Sequence, residues 1–286
     1  MAEYKHIQEL LNTGIATQGQ LLIVRKIYDT LVDTATKNLI PRTEAALVIG
    51  PSGIPGASID IDLITADSIA VRQIAEGADI TLDNEEYTTT NIRPVKYGCG
   101  VRITREMMED AKWNLLEKNI ADIGQKFAEN ETNLIITQLD SATGSNTGGA
   151  AYTISDLTTQ IYDVESKDYK PTTLLVGTEV MRDLRNIDTF VEADKLGSRE
   201  MIETGYVGRI YGLNVINFST NAAPSTTYAK YAYVYDKAQC YYIVEKRPIT
   251  VERFELPSCD MSGAVVTQRI AVKIIRADAA SKTTTT

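Results

Sequence analysis

Residues 95–139 constrain this chain more than any other stretch. Val95-Lys96-Tyr97-Gly98-Cys99-Gly100-Val101-Arg102-Ile103 carries its larger apolar side chains on odd positions and polar residues or glycine on even ones. That is the period of a half-buried strand. At Thr104 the period changes. The Thr104 hydroxyl can cap a helix, and Glu106 puts negative charge at the positive end of the helix dipole. Met108, Ala111, Leu115, Ile120, Ile123, Phe127 and Leu134 then recur at spacings of mostly three, four or seven, with no proline and with Gly124 as the only glycine. A helix over 104–139 would run about 50 Å at a rise of about 1.5 Å per residue. A chain of 286 residues cannot cover that length with its own interior. The stripe keeps no strict heptad, so it predicts a spine with other elements laid across it and not a coiled coil.

The flanking sequence supplies those elements. Residues 1–40 read as two amphipathic helices parted by Gly14 and Gly19 and stopped by Pro41. The glycine- and proline-rich loop at 46–56 lacks a phosphate-binding pattern and reads as turns. Residues 57–95 predict a long hairpin: Ile59-Asp60-Ile61-Asp62-Leu63 alternates, Glu76–Asp79 is a turn, and Tyr87–Arg93 returns. Two strands bury too little to stand alone, so such an excursion predicts an arm that finishes folding against another molecule. Ser141–Ala150 has the composition of a linker and predicts a domain boundary. Beyond it, helix and strand alternate: Ser155 caps a helix through Val164, 172–177 is a buried strand, Thr178 opens a helix through Arg185, and strands follow at 210–216, 231–235 and 241–244. The late strands at 249–254 and 265–276 are expected to pair with the strand before the spine. Ser281–Thr286 reads as a polar tail with nothing to pack.

Composition excludes several kinds of chemistry. The single histidine, His6, sits near a terminus, which removes histidine-rich metal sites and makes a serine or cysteine nucleophile with a histidine base implausible. Three cysteines at no ligand spacing read as small buried apolar groups in a reducing compartment. No cofactor motif, metal-ligand set, secretory signal or membrane-length apolar run is present. The net charge of −9 is unevenly spread. Residues 53–95 hold eight acids against Arg72 and Arg93, whereas residues 1–50 balance five acids with five bases. The acidic hairpin is therefore expected to find basic residues on a partner. Asp60, Asp62, Glu85 and Glu86 are the candidate acids, and Arg102, Arg247, Arg253, Arg269 and Lys273 the candidate bases.

Three segments together resemble a known family. Pro94-Val95-Lys96-Tyr97-Gly98-Cys99-Gly100-Val101-Arg102-Ile103-Thr104-Arg105-Glu106-Met107-Met108-Glu109-Asp110 looks like the entry into the spine helix of the major capsid proteins of tailed double-stranded DNA viruses, the Hong Kong 97 type fold. Leu174–Leu184 is similar to that family's axial-domain strand and helix, and Gly205–Val215 to its glycine-punctuated turn and strand. The resemblance covers almost the whole chain through the order of its elements.

The resemblance implies an α+β, Hong Kong 97-like capsid fold with an N-terminal arm (1–53), an extended β-hairpin loop (54–95), a peripheral domain (96–149 and 246–278, spine helix 104–139), an α/β axial domain (150–245) and a polar tail (279–286). It implies a non-enzymatic shell subunit that forms pentamers and hexamers of an icosahedral head and encloses double-stranded DNA without reading its sequence. Scaffold, portal and decoration proteins are the further partners it implies, with assembly in the host cytoplasm, residence in the virion and no membrane. No lysine lies between Lys37 and Lys96, so a lysine cross-link from the extended loop is not expected. About 45 residues precede the hairpin, which suggests a mature form or a separate scaffold. An encapsulin-type nanocompartment shell shares the fold and is the alternative; an α/β enzyme on residues 150–245 would need a pocket of convergent ionisable groups.

Overall fold

The computed structural model describes residues 42, 44, 45, 47–54, 56–66, 69–74, 76, 79, 82–104, 106, 107, 115–187, 208–218 and 223–286. The helices expected over 1–40 and the spine residues 105 and 108–114 lie outside the described residues.

Strand β4 (Val95–Thr104) forms where its alternation predicts. It is one edge of a four-stranded sheet with β1 (Leu47–Ile49), β10 (Tyr241–Leu256) and β11 (Met261–Ile274), in the order β1-β10-β11-β4. β11 runs antiparallel to both neighbours, with Ile270 opposite Val95 and Met261 opposite Thr104. Of the two late strands expected to pair with the strand before the spine, β11 does so, whereas the 249–254 stretch lies in β10 and pairs with β11 instead. The stretches 241–244 and 249–254 are one continuous strand, irregular in register between Glu245 and Thr250, around Pro248. Proline cannot donate to a ladder, so the irregularity falls where the sequence demands it.

Thr104 accepts a hydrogen bond at Oγ1 from the Met107 amide (3.3 Å), the capping contact expected of it. The described spine helix, α1, spans Leu115–Leu139, about 37 Å at its helical rise. It serves two sheets. Ile120, Ile123 and Phe127 pack on Val266, with Tyr97, Val101, Ile249 and Val251 beside them, on one face of the four-stranded sheet. A turn or two on, Ile135, Ile136 and Leu139 are buried with Leu175, Tyr233 and Tyr235 of a second sheet, and with Ile243, Ile270 and Val272 of the first. Each such burial contributes about 1.5–3 kcal/mol, so the helix is the element through which the sheets share a core.

The second sheet is six-stranded among the described residues: β5 (Gly144–Thr147), β12 (Ala280–Thr284), β9 (Tyr231–Tyr235), β6 (Thr173–Val176), β8 (Leu213–Asn217) and β7 (Arg209–Ile210), in that spatial order. Its far face carries helices α2 (Ile154–Glu165) and α3 (Thr178–Asn186), with Leu157, Val164, Val180 and Leu184 packed on Leu174, Val176 and Val234. Thr153, not Ser155, caps α2 through a reciprocal capping box with Asp156. The segment predicted as one strand over 210–216 is a hairpin. Tyr211 (φ 48°) and Gly212 (φ 83°) form its tight turn.

Two expectations are corrected here. The linker at 141–150 contains a strand, and the polar tail at 279–286 is not a tail. β12 lies between β5 and β9, with Ser281, Thr283 and Thr285 buried. Their polar side chains misrepresent both segments, because the backbone ladder and β-branched threonines stabilise an interior strand without large apolar groups. Ser281 donates to Asp163 (3.0 Å), and its carbonyl accepts from Gln160 (3.2 Å). Gly144 looks like linker composition, but a Cβ there would stand 2.8 Å from the Ser281 Cβ. Close strand approach is why glycine occupies it.

The hairpin is a separate two-stranded sheet, β2 (Ile59–Ala66) with β3 (Glu86–Ile92). Ile69–Arg72, between the two strands, is not strand. Among the described residues it is anchored at its root: Ile54, Ile59, Ile61 and Ile92 pack against Val244, Ala271 and Ile275. Val244 and Ala271 are paired across β10 and β11, so the root covers the face of the four-stranded sheet opposite α1.

Candidate assembly surfaces

The period of two divides the hairpin into faces. Ile59 and Ile61 turn toward the four-stranded sheet. Asp60 and Asp62, exposed on the same strand, therefore face away from it. Asp60 lies opposite Asn91 and accepts from its side-chain amide, and Asp62 lies opposite Thr89 and accepts from its hydroxyl at 2.7 Å. Each uses one carboxylate oxygen, and among the described residues the second is unengaged. Glu85 accepts from the Tyr87 hydroxyl at 2.9 Å, which pushes that exposed phenol's pKa up. Glu86 is exposed at the start of β3. Asp83 is already satisfied by Arg72 (3.2 Å) and the Ala70 amide (3.2 Å). Among the described residues the acidic surplus thus lies on the Asp60–Asp62 face, at the Glu85–Glu86 end and on Glu76 and Asp79, exposed in the loop between the strands.

Beyond these strands the loop exposes apolar side chains. Val71 is 102 % and Leu82 89 % exposed, with Ile69 also open, and Tyr87 is open at the start of β3. Nothing among the described residues covers them.

The predicted bases do not form one patch. Arg253 is paired with Glu255 (2.9 Å), in register with Ala264 and Val101 on the α1 side of the sheet. Arg102, Arg247, Arg269 and Lys273 belong to the opposite face. Arg247, Arg269 and Lys96 stand directly opposite one another across β10, β11 and β4. Lys96 does not stand out in the sequence, because only the register places it in this row. Arg269 donates to the Pro94 carbonyl at 3.3 Å. Among the described residues Lys96, Arg102, Arg247 and Lys273 have no anionic partner within ion-pair distance.

A buried polar junction is also absent from the sequence-based expectations. Arg42 is paired with Glu131 of α1 (3.2 Å) and with Glu245 of β10, and Gln268 of β11 donates to Glu245 at 3.1 Å. Burial is the main force pushing the Glu131 carboxyl up to about 7; neighbouring Glu245 raises it further, and Arg42 opposes. Two residues on, Glu44 accepts from Thr173 (2.8 Å) and pairs with Lys237 (3.4 Å). The sequence held one signal for this junction: Glu131 falls four residues from both Phe127 and Ile135, within the apolar stripe.

The cysteines also differ from expectation. Cys240 is buried, and burial pushes its thiol's pKa up, but Cys99 and Cys259 are exposed. Among the described residues no three metal-ligating side chains cluster, and no helix is long and apolar enough to cross a membrane.

A long helix shared by two sheets, Arg42 and Glu44 tied to that helix and to both sheets' surroundings, and a hairpin with unfinished surfaces define a structural tile of the Hong Kong 97 type. The family model for phage capsid proteins matches residues 85–283, from the hairpin's return through the last strand. The chain belongs to the phage capsid protein family, as a shell-forming major capsid protein. Solved structures share the fold. The mature capsid of bacteriophage PhiM1 is 12% identical, with 85% of each chain covered and a TM-score of 0.65. A structure from Mycobacterium phage Che8 is 14% identical, covering 80% of this chain and 84% of that one, with a TM-score of 0.66. A virus-like particle from Pyrococcus furiosus is 13% identical, covering 91% and 99%, with a TM-score of 0.59. No protein with a curated description matches the sequence.

Proposed function

We propose that this chain builds the icosahedral head of a tailed double-stranded DNA virus as pentamers and hexamers. The carrying observation is the hairpin: it is rooted on its own sheet by a few isoleucines, while its acidic face and its apolar residues Val71 and Leu82 remain open. A surface of that kind is completed by a neighbouring subunit. In this reading the hairpin lies over the adjacent subunit, the four-stranded sheet with the spine is the peripheral domain, and the six-stranded sheet is the axial domain around the five- and six-fold axes. β5 and β12 then belong to the axial domain, which moves its boundaries from 150–245 to include 144–147 and 280–284. The N-terminal arm crosses a subunit boundary. Scaffold, portal and decoration proteins act on the assembled shell in the host cytoplasm, and the packaged DNA is enclosed without sequence-specific contacts.

Negative-stain microscopy of the purified protein tests this. Closed shells of uniform diameter are expected; a monodisperse monomer at all concentrations contradicts it. An encapsulin-type compartment is the second reading, and the likeness to the Pyrococcus furiosus virus-like particle is what favours it. Particle contents separate the two: packaged DNA means a virus head, an enclosed enzyme a compartment.

A further inference from the structure

Residues 42–54 act as a strap across the molecule. Arg42 holds Glu131 of α1 (3.2 Å) and Glu245 of β10. Glu44 holds Thr173 of β6 (2.8 Å) and Lys237, just after β9 (3.4 Å). β1 then runs parallel to β10 along Tyr242–Val244, and Ile54 ends the strap in the hairpin's root. The two charged positions differ in balance. Glu44 meets one ammonium, whereas Arg42 is one cation between two carboxylates. With both carboxylates ionised, the Arg42 junction holds one unbalanced negative charge away from water, which is costly until a proton neutralises it or the site opens.

The geometry says which carboxyl takes the proton. The Glu131 side chain is 2 % exposed and that of Glu245 13 %. Glu245 is served on both oxygens, by Arg42 and by the Gln268 amide at 3.1 Å. Glu131 engages Arg42 through Oε2, and its buried Oε1 has no hydrogen-bond partner among the described residues. The groups that face Glu131 are Arg42 from the strap, Glu245 and Tyr241 from β10, and the neutral Gln268 from β11. Of these Arg42 alone is cationic, and Glu245 shares it. Burial pushes the Glu131 carboxyl up to about 7 against the opposition of Arg42, so its proton is exchanged close to neutral pH.

We propose that a single proton on Glu131 is the catch of this strap. When Glu131 is protonated, Arg42 is balanced by Glu245 and the strap stays closed over both sheets. When Glu131 is ionised, the buried charge is relieved as Arg42 lifts away with its strap and water enters. The catch thereby sets how firmly β1 and the hairpin's root are held to their own sheet. The folded value lies above the ordinary 4.5, so the closed strap is favoured most below about pH 4.5, loses hold as pH rises, and changes no further above about pH 7. This device goes beyond the shell-subunit reading and does not depend on it.

Hydrogen exchange in the full-length, unassembled chain tests it, with rates corrected for the intrinsic effect of pH on amide exchange. The amides of 47–49 should lose about tenfold in protection between about pH 6 and about pH 8, while those of 173–176 and 265–272 keep theirs. Glu131→Gln cannot ionise, so it should keep the strap protected at both pH values. Glu245→Gln gives Glu131 sole use of Arg42, so it should move the loss to lower pH; it serves as the second variant if Glu131→Gln disturbs the fold. Strap protection that is equal at the two pH values in the parent overturns the proposal. A loss shared equally by both sheets overturns it in favour of global unfolding. A loss that persists unchanged in Glu131→Gln, or in Glu245→Gln where that variant stands in, overturns it in favour of another titrating group.

Discussion

The six-stranded sheet and the hairpin are both built from strands, but they stand at opposite ends of self-sufficiency. In the sheet, helices cover both faces, and Leu174, Leu175, Val176, Val234 and Tyr235 are fully buried. Even its most polar strand, β12, is held on both edges. In the hairpin each strand has one partner, one face carries carboxylates, and the loop between the strands exposes Val71 and Leu82. The difference separates what the chain stabilises within itself from what it leaves to its neighbours. The first is a folding problem, and the second is an assembly problem.

Breaking the self-sufficient side should have the largest effect. Removing residues 280–286 takes an interior strand from the six-stranded sheet, and the expected outcome is loss of soluble, folded protein, read by expression and circular dichroism. Ile120→Pro places a ring within α1 where the helix covers the four-stranded sheet, costing about 3 kcal/mol or more and abolishing shells with it. Leu174→Ala empties a fully buried position and should cost about 2–5 kcal/mol in chemical denaturation.

The Arg42 junction gives a pH-dependent test. In the folded chain the Glu131 carboxyl titrates at about 7 against an ordinary 4.5. Between these values the folded state holds a proton that the unfolded state has lost. Stability from this group is therefore greatest below about pH 4.5, falls as pH rises, and levels off above about pH 7. Glu131→Gln keeps an acceptor for Arg42 and removes the titration. It should flatten that slope and equal or exceed the parent in stability at pH 8, by at most about 3 kcal/mol. The smallest effect on the subunit is expected at the hairpin. Val71→Ser with Leu82→Ser should change subunit stability by less than about 0.5 kcal/mol, yet lower shell yield. A large loss of subunit stability instead would mean that these side chains already pack within their own chain.

Much of the fold was legible because periodicity reports burial. The alternation in Val95–Ile103 and the stripe through Phe127 each mark one packed face, and the strand and helix follow. What escaped the sequence was set by register and by chain crossings. Lys96 joins Arg269 and Arg247 only once β11 is known to lie between β4 and β10. β12 is polar, and only its position between β5 and β9 makes Ser281–Thr284 an interior strand. Arg253, grouped with the other bases by charge alone, is turned to the other face by alternation and neutralised by Glu255.

Hydrogen exchange, compared between unassembled subunits and purified shells, tests the division between finished and unfinished surfaces most directly. The amides of 59–66 and 86–92 should exchange at least about tenfold more slowly in shells, while those of 173–176 and 231–235 should be equally protected in both states. Hairpin amides equally protected before and after assembly would contradict it.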